Sequence, residues 1–282
     1  MKEITADMIK DLRERTGVAM GKCKEALVLT SGDMEKAIDH LRKVGMAAGV
    51  KKEGRETKEG LILTGSDQRS LVLAEANVET DFVAQNDRFK HFLHDVVKQA
   101  LETKPASLAD FMKQPYFKDK SITMDQYRNL VIQALGENIQ VRRLEVIHKH
   151  PNSSYGIYSH MGGKLVVVVE IEGAADQEGI AKEIAMHAAA ENPDYLKAEE
   201  IPPHVLAREE EIARSQVQGK PANIVDKIVA AKVKSFADQA CLIHQKYVKD
   251  TSVTVQQFLD ICAKKLGKPL SIRCFWRWKV GQ

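Results

Sequence analysis

Few residues in this chain are spaced for chemistry, and each group falls short of a working site. Gly17-Val18-Ala19-Met20-Gly21-Lys22-Cys23 has the outline of a phosphate-binding loop. In that motif a glycine-rich turn cradles phosphates, and a Lys followed by Ser or Thr holds the terminal phosphate and magnesium. Here the glycines stand one residue too close, Cys23 occupies the hydroxyl position, and a helical pattern precedes where a strand is needed. His91 and His94 could place two imidazoles on adjacent helical turns, but no Cys or third His lies near them in sequence. They read as solvent-facing residues of an amphipathic helix, and His148 and His150, at a strand-to-loop boundary, read the same way. There is no Gly-x-Ser-x-Gly elbow and no His-Glu-x-x-His pair. Cys23, Cys241, Cys262 and Cys274 are scattered, which suits free thiols in a reducing cytoplasm. These residues imply no enzyme, no cofactor and no metal centre.

Composition narrows the class further. With 282 residues the chain can bury a sizeable core, and 42 basic against 39 acidic residues leave a net charge of +3. That balance does not suit a protein that coats nucleic acid. The exception is local: residues 263–282 hold Lys264, Lys265, Lys268, Arg273, Arg277 and Lys279 and no acid. The longest apolar run, Leu165–Val169, is far short of a membrane span, and the first residues carry an early acid instead of a secretory apolar stretch.

The elements that must position any site begin with three short helices. Thr5 caps the first, whose Met8, Ile9 and Leu12 share a face and which Gly17 stops. A second runs over about 22–29. The third carries Met34, Ala37, Ile38 and Leu41 and is expected to end at Gly45, with residues 47–59 a flexible linker. A hairpin then pairs Leu61–Thr64 with Leu71–Val78. Asn86 caps a helix over 87–101 with Phe89, Phe92, Leu93, Val96, Val97 and Ala100 on its apolar face, and a helix over 124–135 leads through Gly136 to a strand over 139–147. The second half repeats the plan: a hairpin of Tyr155–Ser159 with Lys164–Ile171, a helix over 177–190, and a closing strand over 270–280. Gly136-Glu137-Asn138-Ile139-Gln140-Val141-Arg142 matches Gly267-Lys268-Pro269-Leu270-Ser271-Ile272-Arg273 at an offset of 131 residues. Between them lies a projecting antiparallel helical hairpin over about 199–240. One arm is lined by Val205, Leu206, Ile212, Ala213 and Val217, the other by Ile224, Ile228, Ala231 and Val233, with Gln218-Gly219-Lys220-Pro221 as the turn. The closing strand reads as strict alternation, Leu270, Ile272, Cys274, Trp276 and Trp278 inward and its cations outward. The fold class is α+β: an N-terminal three-helix domain (1–46), a linker (47–59), and a core of two similar antiparallel-sheet-plus-helix subdomains (60–150 and 151–282) with the inserted hairpin.

One loop stands out. Asn77-Val78-Glu79-Thr80-Asp81-Phe82-Val83-Ala84 is acidic yet carries an aromatic ring. Either Phe82 tucks under the following helix, or it is a wedge for a partner's groove with Asp81 beside it.

Together with Leu12-Arg13-Glu14-Arg15-Thr16-Gly17 and Cys23-Lys24-Glu25-Ala26-Leu27, this run resembles the two signature motifs of the elongation factor Ts family. Thr80-Asp81-Phe82-Val83-Ala84 matches without a gap. Gly136–Ile139 with Arg142 and Arg143, then Tyr158–His160, then Ile184–His187 follow in the family's order, so the resemblance covers nearly the whole chain. Ala19, Gly21, Lys22, Ala76 and Gln85 depart from the family's usual residues, and the sequence stops at Gln282 where longer members continue into a further helix.

The resemblance implies a guanine-nucleotide exchange factor of elongation factor Tu. The N-terminal domain would be the family's ubiquitin-associated-like docking unit gripping the GTPase domain, with Arg13 at a contacting position. Thr80, Asp81, Phe82 and Val83 would wedge near the magnesium and phosphate site of elongation factor Tu-GDP, release GDP and allow GTP to rebind. His160 would touch a neighbouring domain. His187 matches the family pattern too, but sits on an apolar helix where a core imidazole is an equal reading. No direct nucleic-acid or membrane contact is implied, and the compartment is cytoplasmic. The rival reading is a ribosome- or RNA-associated binding protein using the basic C-terminal face, whose affinity would fall steeply with salt.

Overall fold

In a computed structural model the described residues are 3–217 and 221–282. They divide into two compact units: one runs to Lys149 and includes Lys279–Gln282, and the other is His150–Trp278.

The first unit opens with α1 (Ala6–Thr16), α2 (Met20–Leu29) and α3 (Met34–Lys52). Thr5 caps α1 by accepting from the Met8 amide, and Gly17 ends it at φ 68°. Leu12, Val18, Cys23, Ala26, Leu27, Ala37 and Leu41 form a small core. Burial pushes the Cys23 thiol up, which keeps it protonated and inert. Gly45 does not end α3, contrary to the sequence expectation, and the helix takes up residues 47–52 of the expected linker. The reason is packing. A methyl group at Gly45 would stand 2.8 Å from Gln133 Oε1, and one at Gly49 would stand 2.0 Å from Asn129 Oδ1, so both glycines are needed for close approach to α7 (Met124–Leu135).

The sheet of this unit has the order β1-β2-β5, all antiparallel: β1 (Glu59–Ser66), β2 (Ser70–Val78) and β5 (Ile139–His148). All nine residues of β2 are buried. The five-residue helix α4 (Asp81–Gln85) leads into α5 (Asp87–Thr103), followed by α6 (Leu108–Lys113) and a small hairpin of β3 (Pro115–Tyr116) and β4 (Asp119–Thr123). The six apolar residues expected to face inward on α5 are all buried, in a core they share with residues of the sheet, α6 and α7.

The second unit has the sheet order β10-β7-β6: β6 (Ser153–His160) and β7 (Leu165–Glu172) are antiparallel, and β10 (Ser271–Lys279) flanks β7. The α8 helix (Glu178–Glu191) covers the sheet, and β8 (Lys246–Tyr247), β9 (Asp250–Thr254) and α11 (Val255–Leu266) complete the unit. Between α8 and β8 lie α9 (Pro203–Ser215) and α10 (Ala222–Ala240), packed on each other. Their buried seam uses Ala213, Val217 and Val229; Ile212 and Ile224, expected inside, are exposed. Gln218, Gly219 and Lys220 of the expected turn lie outside the described residues.

Alternation along β10 also needs correction. Leu270 and Ile272 are buried in the core beneath α8, and Trp278 is buried too. Phe275, on the opposite face by alternation, packs against that core as well, while Cys274 and Trp276 are only half-buried. Arg277, expected to point outward, is turned in: its Nε donates to Ala188 O of α8 at 3.1 Å, and burial lowers its pKa. Arg273 is paired with Glu172 at 2.7 Å.

Candidate interaction site

Phe82 is 85% exposed, the largest value among the exposed large apolar residues. It does not tuck under the helix. Its short helix stands on a fixed base: Ala84 is fully buried, Val83 packs against the same core, and Asn86 both ends α4 and caps α5. A helix of five residues has too few hydrogen bonds to persist alone. Thr80 at its N-cap accepts from the Val83 amide at a long 3.4 Å. The tighter ties run to the turn after α7. Glu137 Oε1 accepts from the Thr80 hydroxyl at 2.6 Å, and Oε2 accepts from the Thr80 amide at 3.0 Å. In the opposite sense, Glu79 Oε1 accepts from the Asn138 amide at 2.7 Å and from Arg55 Nη1 at 3.4 Å. Asp81 is exposed at the foot of the ring.

Arg13 is exposed on α1 and lines a cleft of about 550 Å³ that also takes in Asn86 and Arg88. Arg88 Nη1 donates to Gly17 O, and its guanidinium lies where a side chain at Gly17 would have to stand, 1.6–2.2 Å from the missing Cβ. Gly17 therefore serves twice, as a left-handed helix end and as a seat for Arg88. The structure brings Arg13 and the Phe82 loop into one unit.

His160 and His187 belong to the other unit. His160 is exposed at the end of β6, where Tyr158 Oη and His160 Nδ1 are 3.1 Å apart and exposed Met161 follows. His187 is fully buried. The Val248 amide donates to its Nδ1 at 3.2 Å, so Nε2 carries the proton toward Gln245 Oε1 at 3.0 Å. Desolvation pulls its pKa down. It is a neutral core imidazole with both nitrogens satisfied.

The near-miss chemistry stays apart. His91, His94 and His148 are exposed, whereas His150 contacts buried Glu170 at 2.9 Å and is not simply solvent-facing. No cluster of three potential metal ligands occurs among the described residues, and no described helix is long and apolar enough to cross a membrane. Sequence reasoning missed Glu79, Glu137 and Asn138 as supports of the loop. Their only signal was the Gly-Glu-Asn turn, which does not announce a partner 57 residues away.

The chain is similar to known proteins along its whole length. The family model described as elongation factor TS matches residues 79–282, beginning at the loop that carries Phe82. Over 282 residues the chain is 52% identical to elongation factor Ts of Protochlamydia amoebophila (strain UWE25), with both chains covered in full. It is 41% identical over 281 residues to those of Chlamydia felis and Chlamydia trachomatis serovar L2, again at full coverage. Similarity of this extent defines the class, the translation elongation factors. Within that class the chain belongs to the elongation factor Ts family.

Proposed function

We propose that this protein binds elongation factor Tu carrying GDP and promotes GDP release by inserting Phe82 beside the magnesium and phosphate site. The observation that carries the reading is an 85% exposed phenylalanine on a tied, five-residue pedestal. Solvent exposure of so large a ring is unfavourable by about 2 kcal/mol, which burial in a partner's groove would recover.

A GTPase holds its nucleotide through a phosphate loop and magnesium, so release is slow until that site deforms. Docking Phe82 and Asp81, with Thr80 and Val83 as their base, favours a conformation with a poor GDP site. Linkage then requires GDP to weaken this protein's binding by the same factor. GTP rebinding completes the exchange. Arg13 and the three-helix domain grip the GTPase domain, and His160, beside exposed Met161, meets a neighbouring domain. The protein acts by binding, with no covalent step, in the cytoplasm, where its four free thiols stay reduced. Direct nucleic-acid binding by the C-terminal strand is disfavoured, because Arg273 is paired with Glu172 and Arg277 is turned to Ala188.

Stopped-flow release of fluorescent GDP from elongation factor Tu tests this. Phe82→Ala should slow stimulated release by about thirtyfold or more, the scale of a lost aromatic hot spot. An unchanged rate would sink the wedge. Absence of any stimulation, together with RNA binding that collapses between about 50 and 200 mM salt, would favour the nucleic-acid reading instead.

A further inference from the structure

The ring of Phe82 is held out in water, and something must prevent the loop from folding it back onto the apolar core that Val83 and Ala84 already touch. The N-cap bond of Thr80 is long and α4 is one turn, so neither supplies that restraint. The Glu137 carboxylate does. It takes both donors of Thr80, the hydroxyl at 2.6 Å and the amide at 3.0 Å, a two-point, charge-assisted clamp that fixes the direction in which α4 starts.

The clamp is itself anchored. Asn138, fully buried, donates its amide N–H to Glu79 at 2.7 Å. Its side-chain Nδ2 donates to Arg55 O at 2.9 Å and Glu53 O at 3.3 Å, just beyond the end of α3. Two adjacent residues therefore hold three segments: the loop at 79–80, the exit of the three-helix domain at 53–55, and the turn after α7. The cations that oppose the two carboxylates come from the same exit, Arg55 on Glu79 and Lys52 within electrostatic reach of both.

We propose that Glu137 is the positioning residue of the Phe82 wedge, holding α4 in its binding-competent orientation through Thr80, with Asn138 fixing that clamp to the end of α3. This rests on Phe82 being the group that drives exchange, and the test separates the two ideas. Stimulated GDP release is measured against protein concentration for Glu137→Ala, Glu137→Gln, Phe82→Ala and the Glu137→Ala/Phe82→Ala double variant. Glu137→Ala should lower the maximal rate about ten- to hundredfold, the scale of a lost pair of charge-assisted hydrogen bonds. Glu137→Gln, which keeps an acceptor for Thr80, should recover part of the rate. In the double variant the Glu137 change should add nothing to the loss from Phe82→Ala, because it acts only through that ring.

Hydrogen exchange of the free full-length chain gives a reading independent of elongation factor Tu. Protection at the Thr80 and Val83 amides should fall in Glu137→Ala while the α5 and β2 amides are unchanged. Additive losses in the double variant, or full exchange activity in Glu137→Ala when Phe82→Ala is impaired, would overturn the assignment. Full activity in Phe82→Ala would instead remove the wedge reading and leave the exchange measurement to judge the clamp alone. If Glu137→Ala loses protection throughout, the same amides in Glu137→Gln decide: unchanged protection at Thr80 there, with unchanged rate, supports a clamp satisfied by one acceptor, and lost rate with intact protection overturns it.

Discussion

The two units carry one framework at two depths of decoration. Asp95 accepts from Tyr116 Oη at 2.6 Å and Lys118 Nζ at 2.7 Å, with Tyr127 stacked on Tyr116 at 4.1 Å. In the second unit Glu183 accepts from Tyr247 Oη at 2.6 Å and Lys249 Nζ at 2.5 Å, with Phe258 stacked on Tyr247 at 4.4 Å. Gln99 accepts from the Phe117 amide and donates to Gln114, as His187 accepts from Val248 and approaches Gln245. Both small hairpins slip register at the same place, and both following helices start with a capping box, Thr123 with Gln126 and Thr254 with Gln257. What differs is what is added. The first unit places α4 and Phe82 between its central strand and helix; the second has no such helix there but places α9 and α10 between α8 and β8. The shared framework carries stability, and under the proposed function the Phe82 wedge sits in a part that is not shared.

The strongest way to break that division is Phe82→Ala. The loss of exchange described above should come with a change in unfolding free energy within about 0.5 kcal/mol, since the ring touches little of the fold. A large loss of stability in urea titration would mean that the decoration also supports the framework. Next comes the paired acid. Asp95 has a side chain 6% exposed and Glu183 one 34% exposed. Asp95→Ala strips two tyrosine hydroxyls, one of them on buried Tyr116, and the exposed Lys118 of their buried partner and should cost about 3 kcal/mol. Glu183→Ala should cost about 1 kcal/mol, in keeping with a more solvated pair. Equal costs would show that depth does not separate the two copies. Of the same size as the Glu183 effect, Thr123→Ala and Thr254→Ala should each cost about 1 kcal/mol through the lost cap, and to the same extent, by thermal unfolding.

The smallest expected change is a slope. His187 is neutral in the fold with its pKa pulled below the ordinary value near 6.5. The unfolded chain takes up that proton first, so the stability from burying neutral His187 is fully present above pH 6.5 and lost as pH falls toward the folded pKa. His187→Gln, the residue type of Gln99, can make both bonds without titrating. It should flatten the acid-side loss of stability; an unchanged pH profile would assign that loss to another group.

Local rules made much of this legible from residues alone. Caps and stops such as Thr5, Gly17, Asn86 and Gly136 marked helix ends because their signals lie within a turn of the place they act. The face of α5 was legible because apolar period and burial coincide over four turns. Gly45 misled because a glycine needed for close helix approach looks like a stop until the partner helix is known. The α4 helix is too short to show a period, and the clamp that holds it joins residues 57 apart, which no window spans. Phe275 and Arg277 break the alternation of β10 because both find partners inside the fold, which residue types alone do not show. The duplication was readable further than the closing strands: Asp119, Ser121, Thr123 and Gln126 recur as Asp250, Ser252, Thr254 and Gln257 at the same offset of 131.

Glu75 gives the fold a schedule. Its carboxylate is fully buried on β2 and is met by Arg143 Nε at 2.6 Å and by the Gly281 amide at 2.9 Å. A ribosome making this chain delivers Glu75 early, Arg143 later, and Gly281 only after the whole of the second unit. Until then the first unit holds a buried acid short of one donor, although nearly all its other residues are available. The second unit, His150–Trp278, has every residue in hand first. The unit that is begun first is thus completed after the one that is begun second.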